Sequence, residues 1–229
     1  MADVRAVANL FLHLAEEQAK DETGDLMTDL KLQKMLYFAQ CWHLVRYDEP
    51  IFRSIIEAWD HGPVVPEIYA EYRKFGRNPI HASPVDYEAF NNRELETIMD
   101  VFAYYSRYSA SGLREISHQY DSPWANVYKP GIKHVEITRE SMKEFYKRQP
   151  PLETVGDRIL RTAKEKGIEI IELAISSNGN PVFPADDYED WGDWDDDLTQ
   201  LFRLSRGTLR KKIGRLRPED IEAIRLKIQ

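Results

Sequence analysis

The sequence of 229 residues predicts an α+β protein that is predominantly α-helical. Three observations indicate this fold class. Several long segments repeat apolar residues at spacings of three and four, as amphipathic helices do. Two short segments are instead rich in β-branched residues, and Pro and Gly residues separate these segments from the helical ones. The length allows one large or two small domains with a substantial core.

The predicted helices begin close to the N-terminus and continue to about residue 148. They span approximately residues 3–20, 30–47, 67–75, 92–108, 111–118 and 138–148. Thr28 can cap the second helix, and Asp29 is favourably placed in its first turn. A turn over residues 48–50 ends that helix. Thr138 is predicted to cap the last of them, and Pro123 to begin a further short turn.

The segment between the second and third helices is predicted to be extended and then to turn. Residues 51–59 are too short and too β-branched for another long helix, so we expect a strand or extended segment there. Gly62 and Pro63 are predicted to turn the chain. Pro66 suits the first turn of the third helix, and Gly76 is a suitable end for it.

Consecutive prolines at positions 150–151 mark the best candidate domain boundary, because they stiffen the chain and do not continue a helix. We therefore predict two domains, residues 3–148 and residues 152–229. The second would be a small helix–hairpin–helix appendage. Its hairpin is predicted from a β-rich segment at 168–175 followed by a Ser-Asn-Gly-Asn turn at 177–180.

An acidic and aromatic block lies within this predicted appendage. Residues 186–197 contain eight acids interleaved with Tyr and Trp, and residues 203–217 contain seven basic residues. Carboxylates and indole rings can imitate the phosphates and bases of a nucleic-acid strand. On that hypothesis the candidate partner-binding residues are Trp191, Asp193, Trp194, Asp195 and Asp196. The alternative is a solvated loop that pairs with the basic segment.

Composition and charge exclude several classes of protein. A formal charge of −8 argues against a general nucleic-acid binder and favours a basic partner. No apolar run approaches the roughly 18 residues that span a bilayer, so we expect no membrane partner. The N-terminus lacks a signal-peptide pattern, and the chain has one cysteine, Cys41. These features predict a cytoplasmic protein.

No pattern of catalytic or metal-binding residues is present in the sequence. The six histidines do not have metal-ligand spacing, and there is no nucleophile elbow, dinucleotide fingerprint or phosphate loop. His61 beside Asp60 and His118 beside Ser117 are candidate general bases, but adjacency in sequence does not orient one group toward the other. We therefore predict a protein that is not an enzyme and uses no metal or cofactor.

Two parts of the chain resemble the signature of the Panacea domain, an antitoxin domain of SocA-like and phage-associated GepA-like proteins. The resemblance rests on residues 30–40 (LKLQKMLYFAQ), 42–43 (WH), 57–59 (EAW) and 62–66 (GPVVP). Weaker similarity follows in residues 113–118 (LREISH), 121–124 (DSPW) and 137–146 (ITRESMKEFY). The resemblance covers about residues 3–148. It identifies this part of the chain as a compact helical Panacea-like domain with a short strand.

The resemblance implies an antitoxin that neutralises a cognate protein toxin by direct binding. A basic toxin that acts on RNA or nucleotides is the partner that such an acidic chain suits. Two alternatives stay open. The protein could be a proteolytic adaptor or chaperone-like protein that delivers a partner for degradation. It could also be an autoregulator that binds operator DNA through residues 203–217.

The signature also supplies a candidate partner-binding surface. A rigid aromatic residue flanked by long polar side chains is a plausible interface anchor. The candidate residues are Lys31, Gln33, Lys34, Tyr37, Trp59, His61 and Val65. The alternative is that the motif carries folding information, and we expect this of its apolar members Leu32, Met35, Leu36 and Trp42.

Overall fold

The computed structural model describes residues 1–20, 26–132, 134–154, 157, 161, 174–175 and 181–182. The chain divides into two compact units, Met1–Leu152 and Glu153–Gln229. The described part of the first unit consists mainly of helices and contains a small two-stranded antiparallel sheet. The predicted α+β, predominantly helical fold class is confirmed.

The helices of the first unit lie where the apolar periodicity predicts them. They are α1 (Val4–Lys20), α2 (Asp29–Tyr47), α3 (Pro66–Tyr72), α4 (Asn92–Tyr105), α5 (Ala110–Ser117), α6 (Pro123–Val127) and α7 (Arg139–Lys147). Short 3-10 turns occupy Arg73–Phe75 and Tyr87–Ala89. Helix α4 ends earlier than predicted because Ser109 already caps α5, where its hydroxyl accepts a hydrogen bond from the Gly112 N–H.

Local side-chain chemistry fixes several helix ends. Asn91 and Glu94 form a capping box at the start of α4, in which each side chain accepts a hydrogen bond from the other residue's backbone N–H. The Thr138 hydroxyl accepts from Ser141 N–H at 3.2 Å and caps α7 as predicted. Thr28 does occupy the N-cap position of α2, but its side chain makes no capping hydrogen bond.

Helix α2 is the central element of the first unit. It packs against α1, α3, α4, α5, α7 and the sheet, and nearly every residue from Asp29 to Leu44 is buried. Phe38 illustrates the packing: its ring stacks on Tyr105 at 4.1 Å and meets Tyr146 edge-on. The predicted apolar stripe with an opposite solvated face is therefore wrong. A helix that is enclosed by neighbours buries all of its faces.

The sheet of the first unit is a hairpin rather than one strand and a turn. Strand β1 (Glu57–Trp59) pairs antiparallel with β2 (Gly62–Val64), and Ala58 lies opposite Pro63. The turn between the strands lies at residues 60–61, two positions earlier than the predicted turn at Gly62 and Pro63. On the other side of β1, Glu136 forms an antiparallel bridge with Glu57, with flanking backbone hydrogen bonds of 2.8 Å.

The second unit is described at a few positions. Strands β3 (Ala174–Ile175) and β4 (Pro181–Val182) pair antiparallel, as the hairpin signal predicts. Residues 157 and 161 are helical, within the helix predicted after residue 152. The acidic and aromatic block at 186–197, with Trp191, Asp193, Trp194, Asp195 and Asp196, lies outside the described residues. The basic segment and the final predicted helix lie outside them as well.

No helix in the described ranges combines the length and the hydropathy that crossing a bilayer requires.

Candidate functional site

The predicted partner-binding surface of the first unit is mostly buried. Trp59 is half-buried and His61 is exposed, whereas the other predicted surface residues are 7 % exposed or less. The buried ones are Lys31, Gln33, Lys34, Tyr37 and Val65. The prediction that the polar residues of α2 form an exposed face is wrong, because α2 is enclosed by the rest of the unit. Burying these polar side chains requires internal partners.

The buried polar side chains of α2 hold the hairpin and a neighbouring loop. Lys34 Nζ donates to the carbonyl of Pro63 at 2.7 Å. Gln33 Oε1 accepts from the Val65 backbone N–H at 2.8 Å. These two bonds satisfy backbone groups along and just beyond β2, as another strand would do. Lys31 Nζ similarly donates to the carbonyl of Ser106 at 2.7 Å, beyond the end of α4.

Tyr37 and Val65 have packing roles. The Tyr37 ring lies edge-on to Tyr146 with centroids 5.9 Å apart. Burial raises the pKa of the Tyr37 hydroxyl well above its ordinary value, so it stays neutral. Val65 is fully buried at the N-cap of α3. The signature residues, polar as well as apolar, therefore serve largely to build the fold.

Other signature residues converge at the tip of the hairpin. We define the hairpin-tip site as Lys34, Trp59, His61, Gly62, Arg114, His118 and Trp124. Gly62 has a φ of 102°, and a Cβ there would lie 3.0 Å from both Lys34 Nζ and His118 Nε2. Both nitrogens therefore border this glycine. Helices α2 and α5 meet the hairpin at this glycine.

A stack of aromatic rings forms one wall of the hairpin-tip site. The His118 ring lies 3.5 Å from that of Trp124, at an interplanar angle of 9°. Trp124 in turn stacks on Tyr128 at 4.4 Å. The Trp124 indole N–H donates to the carbonyl of Trp59 at 2.9 Å, which ties α6 to the hairpin. Pro123 and the Ser122 cap, whose hydroxyl accepts from Ala125 N–H, begin α6 at the required position.

Trp59 itself is fixed on two sides. Its indole N–H donates to Glu57 Oε2 at 2.8 Å, and its ring meets Tyr69 edge-on at 4.8 Å. His134 Nδ1 lies 3.0 Å from the same Glu57 oxygen. The half-exposed ring is thus held in one orientation by polar and aromatic contacts. A pre-positioned aromatic of this kind loses little entropy when a partner covers it.

The ionisable members of the hairpin-tip site are all basic, and burial lowers the pKa of two of them. Burial lowers the pKa of Lys34 to about 7, Asp29 opposes that shift, and Arg114 adds to it. Burial also lowers the pKa of His118 to about 4, with further lowering by Arg114, Lys34 and His61. His118 is therefore neutral near pH 7. Near pH 7, Lys34 is present in both its protonated and its neutral form.

Neither sequence-derived candidate for a general base is oriented by its neighbour. The Ser117 hydroxyl donates to the carbonyl of Arg114 at 2.8 Å. Asp60 accepts from the Tyr128 hydroxyl at 3.0 Å, so this carboxylate has a partner other than His61. Within the described part of the chain, no group of three or more His, Cys, Asp or Glu residues is placed to hold a metal ion.

Comparison with known proteins identifies the family. The model of the SocA-like antitoxin Panacea domain matches residues 32–125. Antitoxin SocA of Caulobacter vibrioides (strain NA1000 / CB15N) is 33% identical over 133 residues, which cover 53% of this chain and 68% of that protein. The chain belongs to the SocA-like, Panacea-domain antitoxin family. No solved structure matches it.

Membership of the Panacea family supports an antitoxin role and indicates a non-catalytic, regulatory protein. A toxin is the partner that this role implies. All members of the hairpin-tip site fall within the Panacea match, from Lys34 to Trp124. Sequence reasoning found Lys34, Trp59 and His61 but did not place Arg114, His118 or Trp124 in the site. The weaker LREISH and DSPW similarities were the available signal, because they contain those three residues.

Proposed function

We propose that this protein neutralises a cognate protein toxin by direct binding, and that the exposed part of the hairpin tip contributes to the interface. The main support is the match to the Panacea domain model, and the matched residues include the hairpin. The tip of this hairpin is fixed to α2 and α6, while Trp59 and His61 still reach the surface. A held aromatic beside an exposed polar residue has the composition of an interface anchor.

The two predicted domains are proposed to have different roles. Residues 3–148 form the antitoxin domain, and residues 152–229 contribute to partner choice. Trp191, Trp194 and the acids around them remain proposed contacts for a basic toxin. A well-packed interface burying about 1,600 Å² is sufficient for nanomolar inhibition.

The test begins with the tagged full chain and a lysate of the native host. Proteins that co-elute at moderate salt are identified and each is expressed alone. The expected result is one stoichiometric partner that arrests growth by itself and is harmless when this chain is co-expressed. Failure of every co-eluting protein to arrest growth contradicts the antitoxin proposal.

Direct binding is distinguished from the other two mechanisms with that toxin in hand. Neutralisation by binding leaves the toxin level unchanged and yields a long-lived complex. A proteolytic adaptor instead shortens the toxin's half-life, and rescue is lost when the protease is removed. An autoregulator binds DNA of its own promoter with an affinity that falls steeply with salt.

The interface is tested with two variants of exposed or half-exposed residues. Trp59→Ala is expected to weaken neutralisation more than it weakens folding, since it removes the anchoring ring. His81→Ala is the matched control, because His81 is exposed and pairs with Glu16, outside the hairpin-tip site. Equal toxin affinity of a folded Trp59→Ala variant and the wild type would show that the hairpin tip is not part of the interface.

A further inference from the structure

Two buried nitrogen atoms of the hairpin-tip site have no hydrogen-bond partner among the described residues. They are Arg114 Nε and His118 Nε2. Buried polar atoms are nearly always paired in folded proteins, so an unpaired set at one place calls for an explanation. Both residues are only half-buried as a whole, and His61 at the turn is exposed. The site is thus reachable from the surface.

The charged groups around His118 come from three elements and share one sign. Arg114 approaches from α5, Lys34 from α2 and His61 from the hairpin turn, and each of them lowers the pKa of His118. Arg114 also lowers the pKa of Lys34. These groups repel one another, and a bound anion would relieve the repulsion.

The nearby carboxylates are already engaged. Asp29 accepts a hydrogen bond from Gln33 at 3.2 Å and is the acid that faces Lys34. Asp60 accepts from Tyr128. The four ionisable members of the hairpin-tip site, Lys34, His61, Arg114 and His118, are all basic residues in a chain whose formal net charge is −8. A basic cluster in an acidic chain is a means of recognition, because it selects an acidic group on the partner.

The shape of the site restricts how a ligand enters. Packing around Gly62 is tight, with Lys34 Cε 2.9 Å from the position of a Cβ. Away from Gly62, His61 is exposed and Arg114 is half-buried. The rings of His118, Trp124 and Tyr128 stack on one another at this site, and Tyr120, two residues after His118, is 97% exposed. An apolar stem that ends in a small anionic group fits these surroundings.

We propose that the hairpin-tip site binds a carboxylate side chain presented by the partner protein, with Arg114 as the principal contact and His61 at the entrance. The planar guanidinium matches a carboxylate with two parallel N–H···O bonds. The aromatic wall packs against the aliphatic stem of that Asp or Glu. The inference rests on the proposed function for its partner, the toxin, and adds the chemistry by which one point of the interface is recognised.

The first test needs no toxin. Sodium acetate is titrated into the ¹⁵N-labelled full chain, and the imidazole signals of His118 and His61 are followed by NMR. Acetate is expected to shift both, whereas acetamide, its neutral isostere, leaves them unchanged. Arg114→Gln is expected to remove the response. Arg107→Gln should retain it, since Arg107 is exposed and stacks on Tyr104 outside the site.

Three results would overturn the assignment. One is the absence of any acetate response at His118 and His61. Another is an equal response in the Arg114→Gln protein. The third is a response to inorganic phosphate without one to acetate, which would indicate a phosphate site instead. His61→Ala provides a second variant, since His61 is exposed at the turn and its truncation leaves the core untouched. It is expected to weaken acetate binding.

The second test uses the toxin and separates the two proposals. Arg114→Gln is expected to weaken toxin binding by about tenfold or more, as loss of a charged interface contact does, with Arg107→Gln unaffected. A toxin complex that forms equally well with Arg114→Gln removes the carboxylate inference and leaves the antitoxin proposal standing. An acetate response without any toxin complex supports the anion site but refutes the toxin as its occupant.

Discussion

Gly62 is the position where the hairpin-tip site tolerates a side chain least. Its φ of 102° is one that L-residues rarely adopt, so any side chain there strains the backbone. A Cβ would also lie 2.9 Å from Lys34 Cε and 3.0 Å from His118 Nε2. Lys34 cannot easily move away, because its ammonium group is bonded to Pro63 and its stem is fully buried.

The cost of Gly62→Ala follows from these two effects. Backbone strain contributes about 1–2 kcal/mol, and overpacking a tight site contributes about 1–3 kcal/mol. We therefore expect the free energy of unfolding to fall by about 2–5 kcal/mol. A loss of that size is a large part of the stability of an ordinary domain.

Two other glycines supply matched controls. Gly76 and Gly131 also have positive φ, 60° and 79°, but a Cβ at either would meet no atom within 4 Å. Alanine at these positions is expected to cost only backbone strain, about 1–2 kcal/mol at Gly131 and about 1–3 kcal/mol at Gly76, whose ψ of −115° lies outside the left-handed helical region. Urea unfolding of the three variants, followed by far-UV circular dichroism, gives the comparison. If Gly62→Ala is no more destabilising than the two controls, the close approach of Lys34 and His118 is refuted.

Two further predictions concern buried polar side chains of α2. The folded pKa of Lys34 is about 7 and its ordinary value is 10.5, so between them the unfolded chain binds more protons and stability rises with pH. The difference in unfolding free energy, wild type minus Lys34→Met, should therefore increase with pH by up to about 1.4 kcal/mol per unit across this interval. Urea unfolding at several pH values measures this difference, and a difference that does not change with pH would show that Lys34 keeps its ordinary pKa. Gln40→Leu should lower the free energy of unfolding by about 3 kcal/mol or more. Gln40 Oε1 accepts a hydrogen bond from Ile51 N–H at 3.0 Å, and the Gln40 amide donates to the carbonyl of Phe52 at 3.3 Å. In the variant, these two backbone groups would remain buried and unpaired. Urea unfolding measures this loss, and a cost below 1 kcal/mol would mean that the loop re-satisfies these groups by itself.

The sequence by itself determined the elements of the first unit and their order. Apolar periodicity located the helices, and short-range chemistry located many of their ends, such as the Thr138 cap and the Pro66 start. These features depend on neighbours a few residues apart, which a sequence displays directly. The motifs that resemble the Panacea signature likewise identified the family, because they are local strings.

Only the tertiary structure decided which polar residues are surface and which are interior. Lys31, Gln33 and Lys34 are residue types that usually lie at the surface, yet α2 is surrounded and the hydrogen-bond partners of Lys31 and Lys34 lie far along the chain. Lys34 bonds to a carbonyl 29 residues away, and Lys31 to one 75 residues away. The hairpin-tip site arises in the same way, since Arg114, His118 and Trp124 reach Gly62 only through the packing of α5 and α6. Long-range pairing of this kind depends on how the helices pack, and no local pattern encodes it.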